Sequence, residues 1–114
     1  MLRMIAAVSL VVGLVGCGPV TRADAREAAA QKACAWYQEC GDIGPGLTFE
    51  DRDECELESA NTFNSLWDNA ACAEIEREDL EVCLSAIEST QCDNALDFLN
   101  TIFNRCSVGN VCGG

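Results

Sequence analysis

The side chains of this chain that could do chemistry are nine cysteines and nineteen carboxylates, with no histidine to work beside them. Thiolates can hold a metal, exchange electrons, attack a substrate or pair with one another, and spacing decides among these uses. No C-x-x-C pair occurs, and the closest neighbours are Cys34 with Cys40 and Cys106 with Cys112. Zinc ribbons, iron–sulfur sites and thioredoxin-like centres need two thiolates within about one turn of chain, so the pattern points away from all three and predicts no metal and no cofactor. Cys34, Cys40, Cys55, Cys72, Cys83, Cys92, Cys106 and Cys112 form an even set in a short chain, which reads as a disulfide framework with its pairing left open.

Acid–base catalysis without histidine would fall to carboxylates such as Glu39 or Asp97, and nothing in the sequence lifts either above a surface residue. No nucleophile, phosphate-loop or metal motif appears, so the expectation is a protein that is not an enzyme. The acids gather in two runs, Glu50, Asp51, Asp53, Glu54, Glu56 and Glu58, then Glu74, Glu76, Glu78, Asp79 and Glu81. Neither contains the D-x-D-x-D-G loop that folds oxygens around calcium, whereas carboxylates facing the positive end of a helix dipole account for both. The net charge is −12, and the basic residues that follow Arg3, namely Arg22, Arg26, Lys32, Arg52, Arg77 and Arg105, are scattered. That excludes the clustered cations by which proteins hold nucleic acid, and an anionic membrane surface would repel such a body.

Cys17 is the ninth, odd cysteine. Arg3 precedes an apolar run, Met4 to Val12, and the run ends at small Gly16, the pattern of a secretory signal that is too short to span a membrane. Leu14-Val15-Gly16-Cys17 resembles the cleavage site of bacterial lipoproteins, in which the cysteine is acylated and becomes the new N-terminus. The resemblance implies a signal peptide over 1–16 and a lipidated N-terminus with a short tether over 17–21. It further implies an anchored domain over 22–114, and Gly18 in place of Asp favours the outer membrane, facing the periplasm or the cell surface. Three acyl chains, at about 0.8 kcal/mol per buried CH2, would anchor far more durably than one. Removing 16 of the 114 residues leaves 98, a single small domain, and losing Arg3 takes the charge to −13. A chain of that size buries a thin core and benefits from covalent staples.

The elements that must position these groups read as helices. Ala33, Trp36, Tyr37 and Cys40 fall at helical spacing on a helix from Arg22 to Cys40, stopped by Gly41. Pro45-Gly46 reads as a type II turn. Thr48 is expected to cap a second helix, with Asp51 as an imperfect capping-box partner, running to Trp67 with Cys55, Ser59, Ala60, Phe63, Leu66 and Trp67 inward. A third helix, Glu76 to Ser89, carries Leu80, Cys83, Leu84 and Ile87. Asp93 or Asn94 caps a fourth, with Ala95, Phe98, Leu99, Ile102, Phe103 and Cys106 on one face, and Ser107 to Gly114 is expected to be a loose tail held by Cys112.

Four amphipathic segments with short connections, and no strand pattern to compete, predict an all-α fold, a small disulfide-stapled antiparallel four-helix bundle. Loop placement puts Cys40, Cys55 and Cys92 near one end and Cys72, Cys106 and Cys112 near the other, with Cys34 and Cys83 further inside. Cys92 and Cys106 lie at opposite ends of one helix, about 20 Å apart, and must have different partners.

Three stretches, Cys34 to Gly44, Cys83 to Ile87 and Cys92 to Cys106, resemble small cysteine-rich lipoproteins of myxobacterial type, a family of unknown function associated with natural-product biosynthesis loci. The resemblance brings no catalytic residues. The expected function is a membrane-anchored, disulfide-rich cell-envelope lipoprotein acting as a non-catalytic interaction module, tethered through lipid on Cys17 and facing an unidentified envelope protein. The other reading is a small-molecule binding or carrier accessory lipoprotein linked to natural-product biosynthesis, with a candidate ligand cleft near Trp36, Tyr37 and Trp67.

Overall fold

The computed structural model describes residues 18–93 and 95–112, so the expected signal peptide, Cys17 and the candidate cap Asn94 lie outside the described residues, as does the side chain of Ala95. Among the described residues the order is β1 (Val20–Thr21), α1 (Arg22–Glu39), α2 (Arg52–Leu66), a 3-10 turn (Ala70–Cys72), β2 (Glu74–Ile75), α3 (Arg77–Glu88), α4 (Ala95–Arg105) and a short α5 (Val108–Val111). The domain is mostly helical and stapled by four disulfides.

Helix α1 starts where the Thr21 hydroxyl accepts a hydrogen bond from the Asp24 backbone N–H at 3.1 Å, and it stops at Cys40 before Gly41, which adopts a φ of +79°. Positive φ costs an L side chain but not glycine, so Gly41 turns the chain out of the helix. The inward face of α1 is mostly alanine: Ala25, Ala29, Ala30 and Ala33 are buried with Cys34 and Trp36. Side chains this small let neighbouring helices approach closely, and α1 packs against both α2 and α3.

Contacts at the helix ends set the chain directions. Arg22, at the start of α1, donates to the Trp67 carbonyl past the end of α2 (3.0 Å), so those two helices are antiparallel. The antiparallel pairs Val20 with Ile75 and Thr21 with Glu74 join the start of α1 to the start of α3. Further along, Lys32 lies 3.6 Å from Glu88 and the Trp36 indole N–H donates to the Thr90 carbonyl at 2.8 Å, so α1 and α3 run side by side in one direction. Helix α4 returns along α3: Phe98 near its start stacks on Trp36, and the Cys106 carbonyl past its end accepts from the Trp67 indole at 2.7 Å.

Four expectations need correction. A two-stranded antiparallel sheet is present; its strands of two residues each are too short to carry an alternating pattern, and Ile75 is fully buried beneath it. Asp51, not Thr48, caps α2: its carboxylate accepts from the Glu54 N–H at 2.8 Å while Glu54 reaches back to the Glu50 N–H at 2.6 Å. Thr48 is kept outside because neighbouring Phe49 pairs with the first loop, donating to the Asp42 carbonyl (3.1 Å) and accepting from the Gly44 N–H (2.8 Å). Within the described residues, up to Cys112, the tail is not loose: Ser107 caps α5, and Val111 is fully buried. On α4, Phe98, Ile102 and Cys106 are buried as expected, but Leu99 and Phe103 are exposed, because α4 turns Phe98 toward Trp36 and Tyr37 of α1 and packs mainly against α3 and α5, which leaves its other flank largely in water.

The turn at Gly44 to Leu47 closes as read, with the Leu47 N–H donating to the Gly44 carbonyl at 3.0 Å and Gly46 at φ +79°. Asp53 and Glu54 occupy the first turn of α2, and Glu78 and Asp79 that of α3, where the dipole favours them.

Candidate functional site

The cysteines form the framework on which every other candidate residue sits. Cys34 pairs with Cys55, Cys40 with Cys92, Cys72 with Cys112 and Cys83 with Cys106. Each bridge joins a different pair of segments. Cys34–Cys55 pins α1 to α2, Cys83–Cys106 pins α3 to the end of α4, and Cys72–Cys112 holds the C-terminal segment against the 3-10 turn. Cys40–Cys92 ties the end of α1 to the connection between α3 and α4. Cys92 and Cys106 do have different partners, and Cys40 meets Cys92 at one end while Cys72 meets Cys112 at the other, where the loops placed them. Among the described residues no group of histidine, cysteine or carboxylate side chains has the arrangement of a metal site.

The three aromatics expected at a cleft occupy two separate clusters. Trp36 is buried, stacks on Phe98 with ring centroids 3.9 Å apart, and meets Tyr37 edge-on at 5.2 Å. Tyr37 is half-buried between Trp36, Phe98 and Phe49. Burial, and then the negative charge of Asp42, hold its phenol above the ordinary pKa of 10.0. Trp67 is fully buried against Phe63. Both indole N–H groups already donate to backbone carbonyls, Thr90 and Cys106, which is the condition for burying an indole without penalty.

Open space lies elsewhere, in a surface groove of about 780 Å³ between α3 and α4. Glu78, Glu81 and Asp97 give it a negative lining against Arg105, while Ser85 and Thr101 add hydroxyls. Glu39, the other carboxylate considered for acid–base work, is exposed at the end of α1 and does not line the groove. Sequence reasoning missed the groove because it arises from the angle between two helices. The groove-lining positions Asp97, Thr101 and Arg105 recur every fourth residue along α4, a signal that was legible but looks like any solvated face.

The far flank of α4 is apolar and exposed. Leu96, Leu99 and Phe103 are 73%, 45% and 56% exposed and follow the i, i+3, i+7 spacing of a single helical stripe. Together they leave an apolar stripe open to water along one side of this helix. Cys17, the expected lipid site, lies outside the described residues, but its nearest described neighbours do not: Gly18 lies beside Arg77 and Glu81, at the start of α3. No described helix is long and apolar enough to cross a membrane.

A model of a family of unknown function (DUF6184) matches residues 34–114. The matched span opens at Cys34 and so takes in all eight paired cysteines while leaving out Cys17. Comparison with curated proteins and with solved structures gives no match.

Proposed function

The chain belongs to the DUF6184 family of unknown function, and from that premise we propose that it is a lipid-anchored cell-envelope protein whose stapled helical domain is a non-catalytic interaction module. The observation that carries the reading is the cysteine count. The eight cysteines after Cys17 bond to one another, so none of them is a partner for Cys17, and an exported protein with one odd cysteine uses it for something else. Acylation at the lipoprotein-like Leu14 to Cys17 site is that use. The pairing of Val20 and Thr21 with β2 adds support, since it leaves only Gly18 and Pro19 between the anchor and the domain. Such a module sits against its membrane, in our reading the outer one, with the acidic body held there by lipid alone. The four longer helices are read as an antiparallel bundle with the α1–α3 pair at its centre.

The docking surface is the stripe of Leu96, Leu99 and Phe103, and the partner is another envelope protein; the charge of −12 makes nucleic acid an unfavourable one. Intact mass of membrane-extracted protein, before and after reduction, tests the anchor. The expected result is a chain beginning at an acylated Cys17 that gains eight hydrogens on reduction; a retained Met1 or an unmodified Cys17 overturns it. In-cell crosslinking tests the module: a partner band present with the native chain and lost with Leu99→Asp/Phe103→Asp supports it, and an unchanged band refutes that surface.

One observation favours a second reading, a small-molecule carrier: the α3–α4 groove is large enough for a ligand. Its lining would select a polar, cationic compound, and the buried tryptophans would take no part. Chemical-shift changes confined to Ser85, Thr101 and Arg105 on titration with cell extract would support it over the docking module.

A further inference from the structure

The four bridges differ sharply in their access to solvent. Cys34, Cys55, Cys72, Cys83 and Cys106 are fully buried, and Cys112, the most exposed of the six cysteines outside the Cys40–Cys92 bridge, keeps 8% of its surface. Cys92 is exposed and Cys40 is partly so. Thiol–disulfide exchange needs a thiolate to approach a sulfur in line with the bond, so burial blocks it and exposure permits it. The position of the exposed bridge matters as much. It joins the end of α1 to the connection ahead of α4, and it closes the longest covalent loop of the four, 52 residues.

Non-covalent contacts hold the same junction independently. The Trp36 indole donates to the Thr90 carbonyl, two residues before Cys92, and Phe98 stacks on the same indole from α4. The other end of α4 is fixed by Cys83–Cys106. Opening the exposed bridge therefore frees a sulfur pair and loosens one end of α4 without removing what packs it.

We propose that Cys40–Cys92 is a redox-addressable clip, exchanged by dithiol reductants while the other three bridges stay locked. A reductant thiolate attacks Sγ of Cys92, forming a mixed disulfide and placing the bond's electron pair on Sγ of Cys40. The second thiol of the reductant then displaces Cys92 as a thiolate and closes the reductant's own disulfide. Two electrons have entered the protein, the two protons shed by the dithiol end on Cys40 and Cys92, and the reductant leaves oxidised. The element loosened is α4, which carries the exposed stripe of Leu96, Leu99 and Phe103, so the clip bears on how that surface is presented. The proposal does not depend on the lipid anchor or on the docking reading.

The test is a dithiothreitol titration of the native full chain, quenched with iodoacetamide and mapped by peptide mass, with far-UV circular dichroism recorded at each step. Adducts on Cys40 and Cys92 should appear at reductant concentrations about tenfold or more below those that label any of the other six bridged cysteines, with helical signal unchanged. Labelling of all eight together, or first labelling at another pair, overturns the proposal. The double variant Cys40→Ser/Cys92→Ser should keep its helical signal and take no label on its six remaining bridged cysteines over that same range. A double variant that loses its helical signal overturns the proposal as well, since a bridge whose opening unfolds the domain is a staple.

Discussion

Two residues show how one side chain settles a boundary or a core. Trp67 follows α2 and fills the centre of the domain, donating its indole N–H to the Cys106 carbonyl at 2.7 Å. Trp67→Phe should leave that buried carbonyl unpaired as well as a small void, lowering stability by roughly 2–4 kcal/mol in urea unfolding. Tyr37 is the only tyrosine in the chain, so its titration can be followed alone at 295 nm. Burial, then Asp42, raise its pKa in the folded state. The folded protein thus holds the phenolic proton more tightly than the unfolded chain does. The resulting stability is fully present below the unfolded pKa of 10.0 and is lost as pH rises through the folded value. Rapid urea titrations across that window should show stability falling with pH, and Tyr37→Phe should remove this part of the slope.

At the scale of elements, the start of α2 separates two mechanisms that the sequence left close together. Thr48 and Asp51 are both good caps, three residues apart, and the choice between them was made by Phe49, whose backbone pairs with Asp42 and Gly44. Asp51→Ala should therefore cost about 1 kcal/mol in chemical denaturation while Thr48→Ala stays within about 0.5 kcal/mol. An equal loss for both would place the cap wrongly. The exposed stripe on α4 gives a complementary expectation. Leu99→Asp should change stability by less than about 0.5 kcal/mol, because nearly half of the residue is already in water, and a buried position would lose several times more.

For the whole molecule, stability is covalent to an unusual degree. Each bridge contributes roughly 2–4 kcal/mol, against a net stability of about 5–15 kcal/mol for a domain, so reducing all four should unfold it while opening one leaves it folded. In the chain-entropy model, the loops of 52 and 40 residues closed by Cys40–Cys92 and Cys72–Cys112 constrain the unfolded chain more than the loops of 23 and 21. Heating the chain with excess reductant and denaturant, then removing only the denaturant, should give no return of helical dichroism until an oxidant is supplied. Recovery under reducing conditions would show that the core of alanines, Phe63, Trp67 and the α3 stripe is sufficient by itself.

The sequence by itself determined the properties that follow from local periodicity and from counting. Helical spacing located four helices to within a few residues, and loop placement put Cys40 at the same end as Cys92 and Cys72 at the same end as Cys112, while Cys55 and Cys106 bond instead to Cys34 and Cys83, which were placed further inside. The even set of eight was enough to read a disulfide framework. Only the tertiary structure decided the rest, because each remaining feature depends on residues far apart in the chain. Cys40 and Cys92 meet across 52 positions, and Val20 pairs with Ile75 through strands too short to announce themselves. Two members of the α4 stripe, Leu99 and Phe103, stay in water although their spacing is identical to that of buried Phe98 and Ile102. Amphipathic spacing says that a face is apolar; whether anything covers it is decided by how many helices are left to pack there.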